Sequence, residues 1–313
     1  MIIWKSIESI LTIIILIATG YIFTHAGWFN ENTGKLFSRV VMNISLPCYM
    51  FFNITSTFDR VQLESLSKNL IVPFVSIGIS YLLSIVVSNM IKVDRNRKGV
   101  FRSMFFASNT MFIGLPVNLA LFGEASVPFV LLYYLANTTF YWTVGAYEVS
   151  MDNPSNKHIS VLNINTVKRI FNPAVIGFLT GVLVVLTGLR VPAFISDSSK
   201  YIGNLTTPLA MFFTGIVLYS VKLREIKFNK DVITLLLARA LICPLLVLLL
   251  LQFFPVPKLM GMVFVIQAAM PAITSTGVVA REYGSDYQFA AVMTAVTTAA
   301  SLVIIPVYMC FMA

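Results

Sequence analysis

Charge is scarce in this chain: 11% of its 313 residues are Asp, Glu, Lys or Arg, against about a quarter in an average globular protein. That shortage argues against a soluble enzyme and against a secreted scaffold. Histidine is nearly absent, with only His25 and His158, too few for a histidine-based metal site. The three cysteines, Cys48, Cys243 and Cys310, stand apart in apolar surroundings. They offer neither a disulfide framework nor ligand spacing. HExxH, a phosphate-binding Gly-rich loop and paired carboxylates inside an apolar segment are missing too, so no metal, no resident cofactor and no enzymatic activity are expected. Basic residues outnumber acidic ones, 22 to 13, for a net charge of +9. The surplus sits in short connections rather than in a tail or groove, which points away from nucleic acid and toward a lipid bilayer.

What the chain has in quantity is apolar length: 58% of it is hydrophobic and its mean hydropathy is +0.85. A helix needs about 20 predominantly apolar residues to cross a bilayer. Such stretches lie at 9–24, 38–57, 70–91, 100–122, 126–147, 171–189, 201–221, 231–253, 259–280 and 288–310, which predicts ten spans. The first is too long, and too poor in a small-x-small cleavage site, to read as a cleavable signal. The apolar runs are continuous rather than alternating, which excludes a β-barrel. Fifteen Lys and Arg fall in the first, third, fifth, seventh and ninth connections, against six at the N-terminus and in the even ones. The bias puts the odd connections, including the hydrophilic 148–170, in the cytoplasm and both termini outside the cell.

The chain also resembles itself. Asn43-Ile-Ser-Leu-Pro47-Cys-Tyr-Met50-Phe51-Phe52 matches Asn204-Leu-Thr-Thr-Pro208-Leu-Ala-Met211-Phe212-Phe213 at five of ten positions, 161 residues on. The same spacing pairs Gly20 with Gly181, Gly27 with Gly188 and Gly123 with Gly284, matches that count for little one by one. The expected fold is therefore all-α and polytopic: a first five-span repeat over 1–147, a linker over 148–170 and a second repeat over 171–313. An odd number of spans inverts the second copy. Inverted repeats are the architecture of alternating-access secondary transporters, whose sites lie near mid-membrane where interrupted helices meet.

Two spans carry interruptions in the same window. Span four holds Ser108-Asn109-Thr110-Met-Phe-Ile-Gly114-Leu-Pro116, and span nine holds Gln267-Ala-Ala-Met-Pro271-Ala-Ile-Thr274-Ser275-Thr276-Gly277. Proline removes a backbone donor and glycine removes the steric objection to unwinding, so Gly114, Pro116, Pro271 and Gly277 are the expected helix breaks. Freed amides at half-helix N-termini carry partial positive charge and suit a carboxylate. The blander alternative is a pair of proline kinks. Candidate substrate contacts are Asn109, Thr110, Gln267 and Thr274, with Asn137 and Thr138 of span five as cavity lining or as interhelical hydrogen-bond partners. Asn43 is a further candidate, with a structural role beside Pro47 as the competing reading; Pro47 and Pro208 should kink spans two and seven. Arg239 is the one basic residue well inside a span. It could snorkel, meet a cluster of carbonyls, or counter an anion. No buried carboxylate relay is apparent, so coupling to Na+ or H+ is open. Gly177 and Gly181 form a GxxxG suited to close helix packing.

The run Ile266-Gln267-Ala268-Ala269-Met270-Pro271 continuing to Val279-Ala280-Arg281-Glu282-Tyr283, together with Asn109-Thr110 and Gly114-Leu115-Pro116, resembles spans nine and four of the auxin efflux carrier family. The resemblance implies a scaffold of spans 1, 2, 6 and 7, which pairs two copies into a homodimer. It also implies a transport domain of spans 3–5 and 8–10 that moves like an elevator. Carried over by motif, Asn109 meets the substrate carboxylate, Pro116 and Pro271 mark the crossover, and the polar position of span five falls at Asn137 or Thr138. The plant exporters carry a very long central loop, whereas this chain has only 148–170. That departure favours the bacterial branch, in which malate and malonate carriers are known. The expected function is therefore a plasma-membrane carrier of small organic anions, with export of auxin-like indole or aromatic acids, or an anion channel, as the alternatives.

Overall fold

A computed structural model gives the protein's structure, described over residues 2–60, 68–153, 164–220 and 228–312. Residues 154–163 of the central connection, and Lys222, Arg224 and Lys227 of the orientation count, lie outside the described residues. Within them the chain is helical, with one isolated bridge in place of any strand. Before the central connection come α1 (Ile2–His25), α2 (Glu31–Val40), α3 (Leu46–Thr57), α4 (Ile71–Met90), α5 (Lys98–Phe106), α6 (Leu115–Phe122), α7 (Val127–Phe140) and α8 (Ala146–Met151). After it come α9 (Ile164–Ile170), α10 (Pro173–Thr187), α11 (Ala193–Gly203), α12 (Thr206–Ser220), α13 (Lys230–Leu237), α14 (Cys243–Phe253), α15 (Lys258–Ala269), α16 (Ser275–Tyr283) and α17 (Tyr287–Met312).

Four stretches are long and apolar enough to cross a bilayer by length and composition: Ile71–Met90, Ala193–Ser220, Lys230–Phe253 and Tyr287–Phe311. Leu11–His25, Thr110–Phe122, Pro173–Thr187 and Lys258–Ala269 are apolar but shorter. Large side chains such as Leu82, Leu183, Leu249 and Phe311 stand exposed on the outer faces. Water penalises such patches and hydrocarbon does not.

Wide π turns at Val41–Ser45, Thr110–Gly114 and Ala238–Ile242 each precede a proline at the second residue that follows, namely Pro47, Pro116 and Pro244. A proline ring clashes with the carbonyl one turn back and brings no donor. A widened turn absorbs that clash without ending the helix. The kink expected at Pro47 takes this form. Pro208 is instead the third residue of α12, after a two-residue turn, Asn204 and Leu205, that closes α11. Asn43 sits in the first π turn, exposed, and its amide donates to the Arg39 carbonyl at 2.9 Å. That is a local backbone role.

Two helix pairs approach to backbone contact. A methyl built on Gly20 of α1 would lie 2.4 Å from the Phe212 carbonyl oxygen of α12, and one on Gly181 of α10 would lie 3.3 Å from the Phe51 carbonyl oxygen of α3. The second contact repeats the first, 161 residues away, with the two helices exchanged. Among the described residues the glycines with left-handed backbone are Gly27, Gly123, Gly188 and Gly284. They too fall into pairs at that spacing, each following a helix end. The GxxxG of α10 therefore packs within the chain, with Gly177 against Pro47. There a Cβ would meet the Pro47 oxygen at 2.4 Å and its Cα at 2.6 Å, so backbone must move. Gly177→Ala is expected to lower stability by about 1–3 kcal/mol, read as a lower thermal midpoint of the purified protein in detergent. An unchanged midpoint would mean that α10 and α3 separate freely.

Candidate functional site

Helical geometry stops at Phe106 and resumes at Thr110. It stops again at Ala269 and resumes at Ser275. These two interruptions meet. Ser108 and Ala272 form an antiparallel bridge, with the Asn109 amide donating to Pro271 O at 2.8 Å and the Ile273 amide to Ala107 O at 3.2 Å. Pro271 ends α15 for a steric reason: the residue before it, Met270, is extended at φ −61°, ψ 153°, as a following proline demands. The other expected break residues need correction. Gly114 lies inside the π turn and Pro116 is the second residue of α6, while the interruption begins seven residues before Gly114, at Ala107. Gly277 is likewise inside α16. Pro116 is the seventh residue of the helical segment that resumes at Thr110, and the widened turn before it accommodates its ring.

Unwound backbone away from water must find partners, and three side chains supply them. Asn137 of α7 accepts from the Ser108 amide at 2.9 Å and donates to the Ser108 carbonyl at 3.0 Å, copying the edge of a neighbouring strand. Thr297 of α17 accepts from the Ala272 amide at 3.1 Å. Arg239, 2% exposed, donates to Phe105 O and Phe106 O at 3.2 Å, to Ala268 O at 2.8 Å, and to Met270 O at 2.7 and 3.0 Å. Those carbonyls close α5 and α15. Each helix C-terminus carries roughly half a negative charge, so the two together match one guanidinium. Of the three roles open to Arg239 from sequence, the carbonyl cluster is the one observed. The residue 161 positions earlier is Gly78, which carries no side-chain donor.

The opposite ends face a cleft. The segment that starts at Thr110 and α16 that starts at Ser275 both present their N-termini to a cavity of about 220 Å³. Asn109, Thr110, Thr138 and Thr274, all singled out from sequence, line it together with Ser108 and Ser275. Asn109 is 3% exposed. Its side-chain oxygen accepts from the Phe112 amide at 3.2 Å, while its Nδ2 has no acceptor among the described residues. The Met111, Thr274 and Ser275 amides are also without a protein acceptor there. The site is thus a ring of spare donors with aromatic walls, Phe112, Tyr134 and Trp142.

Three sequence candidates fall elsewhere. Asn137 is committed to Ser108. Gln267 is fully buried, its amide donating to Thr110 O at 3.3 Å, and it fills the space over Gly114, where a Cβ would come within 2.3 Å of its Oε1. Asn43 points away, although its neighbour Met42 reaches the cleft. Sequence reasoning missed Arg169, Trp142 and Asn172, which also line the cleft. Arg169 registers in the sequence only as one more cytoplasmic charge, while Asn172-Pro173 is a legible helix start.

The Membrane transport protein family model matches residues 5–309. This chain belongs to the auxin efflux carrier family. Similar family members include an uncharacterized transporter of Methanocaldococcus jannaschii, 24% identical over 305 residues that cover 96% of this chain and 97% of that protein. Another is an uncharacterized transporter of Methanothermobacter thermautotrophicus, 25% identical over 312 residues, 98% and 99% of the two chains. A third is the uncharacterized transporter YfdV of Escherichia coli, 22% identical over 246 residues, 75% of this chain and 77% of that one. Membership of the auxin efflux carrier family together with the apolar helices makes this a multi-pass membrane protein of a transporter family, consistent with a non-enzymatic role.

Proposed function

We propose that this protein is a secondary carrier of small organic anions, carboxylates such as malate or malonate. It works by alternating access, with the anion held where residues 107–110 and 270–275 meet. The observation that carries this reading is the pair of helix N-termini facing one cleft with unpaired amides and the free Asn109 Nδ2. A partial charge of about +0.5 at each helix start sums to roughly one positive charge, matched to one carboxylate. A cleft of about 220 Å³ is smaller than the roughly 300 Å³ and more that drug-sized ligands need, and suits a compact acid.

The chain crosses the plasma membrane ten times as two mirrored sets of five, with both termini outside and the two interruptions crossing at mid-membrane. The glycine contacts exchanged at 161 residues and the paired left-handed glycines support the mirroring. Spans 1, 2, 6 and 7 form the scaffold, their backbones pressed together at Gly20 and Gly177, and dimerise through it. Spans 3–5 and 8–10 carry the anion past the scaffold as an elevator. The aromatic walls favour a second reading, an exporter of indole or aromatic acids. A channel fits less well, because the polar groups gather at one place rather than along a pore.

Counterflow in liposomes, with mono- and dicarboxylates and indole acids, each with and without a sodium or proton gradient, tests the reading. Saturable exchange is expected; conductance without saturation would point to a channel. Asn109→Ala removes a charge-assisted contact to the anion and should lower transport about ten- to a hundredfold. Losing its cap on the Phe112 amide costs about 1 kcal/mol of stability, so the protein stays folded with a modestly lower melting midpoint. Near-normal transport by that variant would remove Asn109 from the site.

A further inference from the structure

Helix ends supply partial charge; Arg169 supplies a whole one to the same cleft. It lies in the last turn of α9, and its guanidinium carbon sits 4.8 Å from the Trp142 ring centre. Its nearest carboxylate among the described residues is Glu282, at 3.8 Å. Both side chains are substantially exposed, at 37% and 50%, so the contact is long, screened and weak. Among the described residues no carboxylate lines the cleft itself. The end of the connection is also tied down. Asn172, three residues on, caps α10 through the Ala174 and Val175 amides at 3.1 and 3.3 Å, and its Nδ2 donates to the Tyr134 hydroxyl of the cleft wall at 2.6 Å. Arg169 is thus held at the cleft by its aromatic platform and by an anchored neighbour, with its fork of donors largely unspent.

The charges then count up. Two helix N-termini amount to roughly one positive charge, and Arg169 adds a second, carried by a different element. A monocarboxylate answers one of them. We propose that Arg169 is the second anion anchor of this cleft, so that the site selects dianionic dicarboxylates over monoanions of the same shape. One carboxylate lies at Asn109 and the helix ends, and the other is paired with the guanidinium. This rests on the carrier reading above and adds the charge of the substrate and the residue that reads it. A planar guanidinium takes a carboxylate in two parallel hydrogen bonds, and the Trp142 face fixes the plane in which it does so.

The test uses the full chain in liposomes with malonate, succinate and malate, each compared with its monomethyl ester, which keeps the skeleton and loses one charge. The wild type should show a KM for the diacid about tenfold or more below that of the half-ester. Arg169→Gln should raise the diacid KM about ten- to a hundredfold and leave the half-ester KM unchanged, erasing the difference. Arg169→Lys should restore part of it, since an ammonium keeps the charge but not the fork. The proposal is overturned if the wild type handles diacid and half-ester alike. It is overturned equally if Arg169→Gln alters both to the same degree or neither, with the carrier reading intact because transport persists. Transport of no acid by the wild type would sink the carrier reading and this inference with it.

Discussion

Replacing Arg239 by methionine should leave the protein unable to hold its fold, with little material surviving detergent extraction. Five hydrogen bonds to four buried carbonyls disappear at once. Phe105 O keeps the Cys243 thiol at 3.3 Å, but the other three carbonyls are stranded out of water at about 1–3 kcal/mol each. The total is comparable to the 5–15 kcal/mol by which a typical domain is stable. The charge argument points the same way: without the cation, the C-termini of α5 and α15 bring two half-charges of one sign together. Arg239→Lys should rescue only partially, because a single ammonium cannot reach the carbonyls of both helix ends as the guanidinium fork does. Size-exclusion profile and thermal midpoint are the readouts. A well-folded Arg239→Met protein would mean that the crossing holds itself together by other means.

The second large effect is expected at Asn137. Its side chain satisfies both the amide and the carbonyl of Ser108, a residue with no exposed surface. Asn137→Leu keeps the volume and leaves both groups unpaired, a loss of about 2–6 kcal/mol at 1–3 kcal/mol for each. The expected result is a fall in thermal midpoint measured without any substrate, with loss of transport as a consequence. Thr138→Ala, one residue along but facing the cleft, should melt close to wild type and alter only the transport kinetics. A normal midpoint for Asn137→Leu with a changed KM would return Asn137 to the substrate.

The interruption near Pro271 was legible because proline acts on its immediate neighbours, and the steric demand on Met270 needs no partner. The one at Ala107 was not. Ser108 and Asn109 favour a helix start over a helix interior but do not by themselves break one, and Gly114 with Pro116 draws attention to the wrong turn. What unwinds Ala107 is supplied from elsewhere: the Pro271 carbonyl, the Asn137 amide group and the Arg239 fork all come from distant parts of the chain. Asn109, Thr110, Thr138 and Thr274 were recognisable as polar residues stranded in apolar runs. Composition cannot say which stranded amide faces a cavity and which one holds backbone. Asn137 and Gln267 are of the second kind.

From sequence alone came the membrane class, the apolar segments, the 161-residue spacing and the family, since each rests on local composition or on comparison of one stretch of chain with another. Only the tertiary structure decided what Arg239 neutralises, which asparagine is free, and that Arg169 from a connection reaches the cleft. The reason is physical: dipole ends, hydrogen-bond partners and charges act over a few ångströms of space, whatever number of residues separates them along the chain.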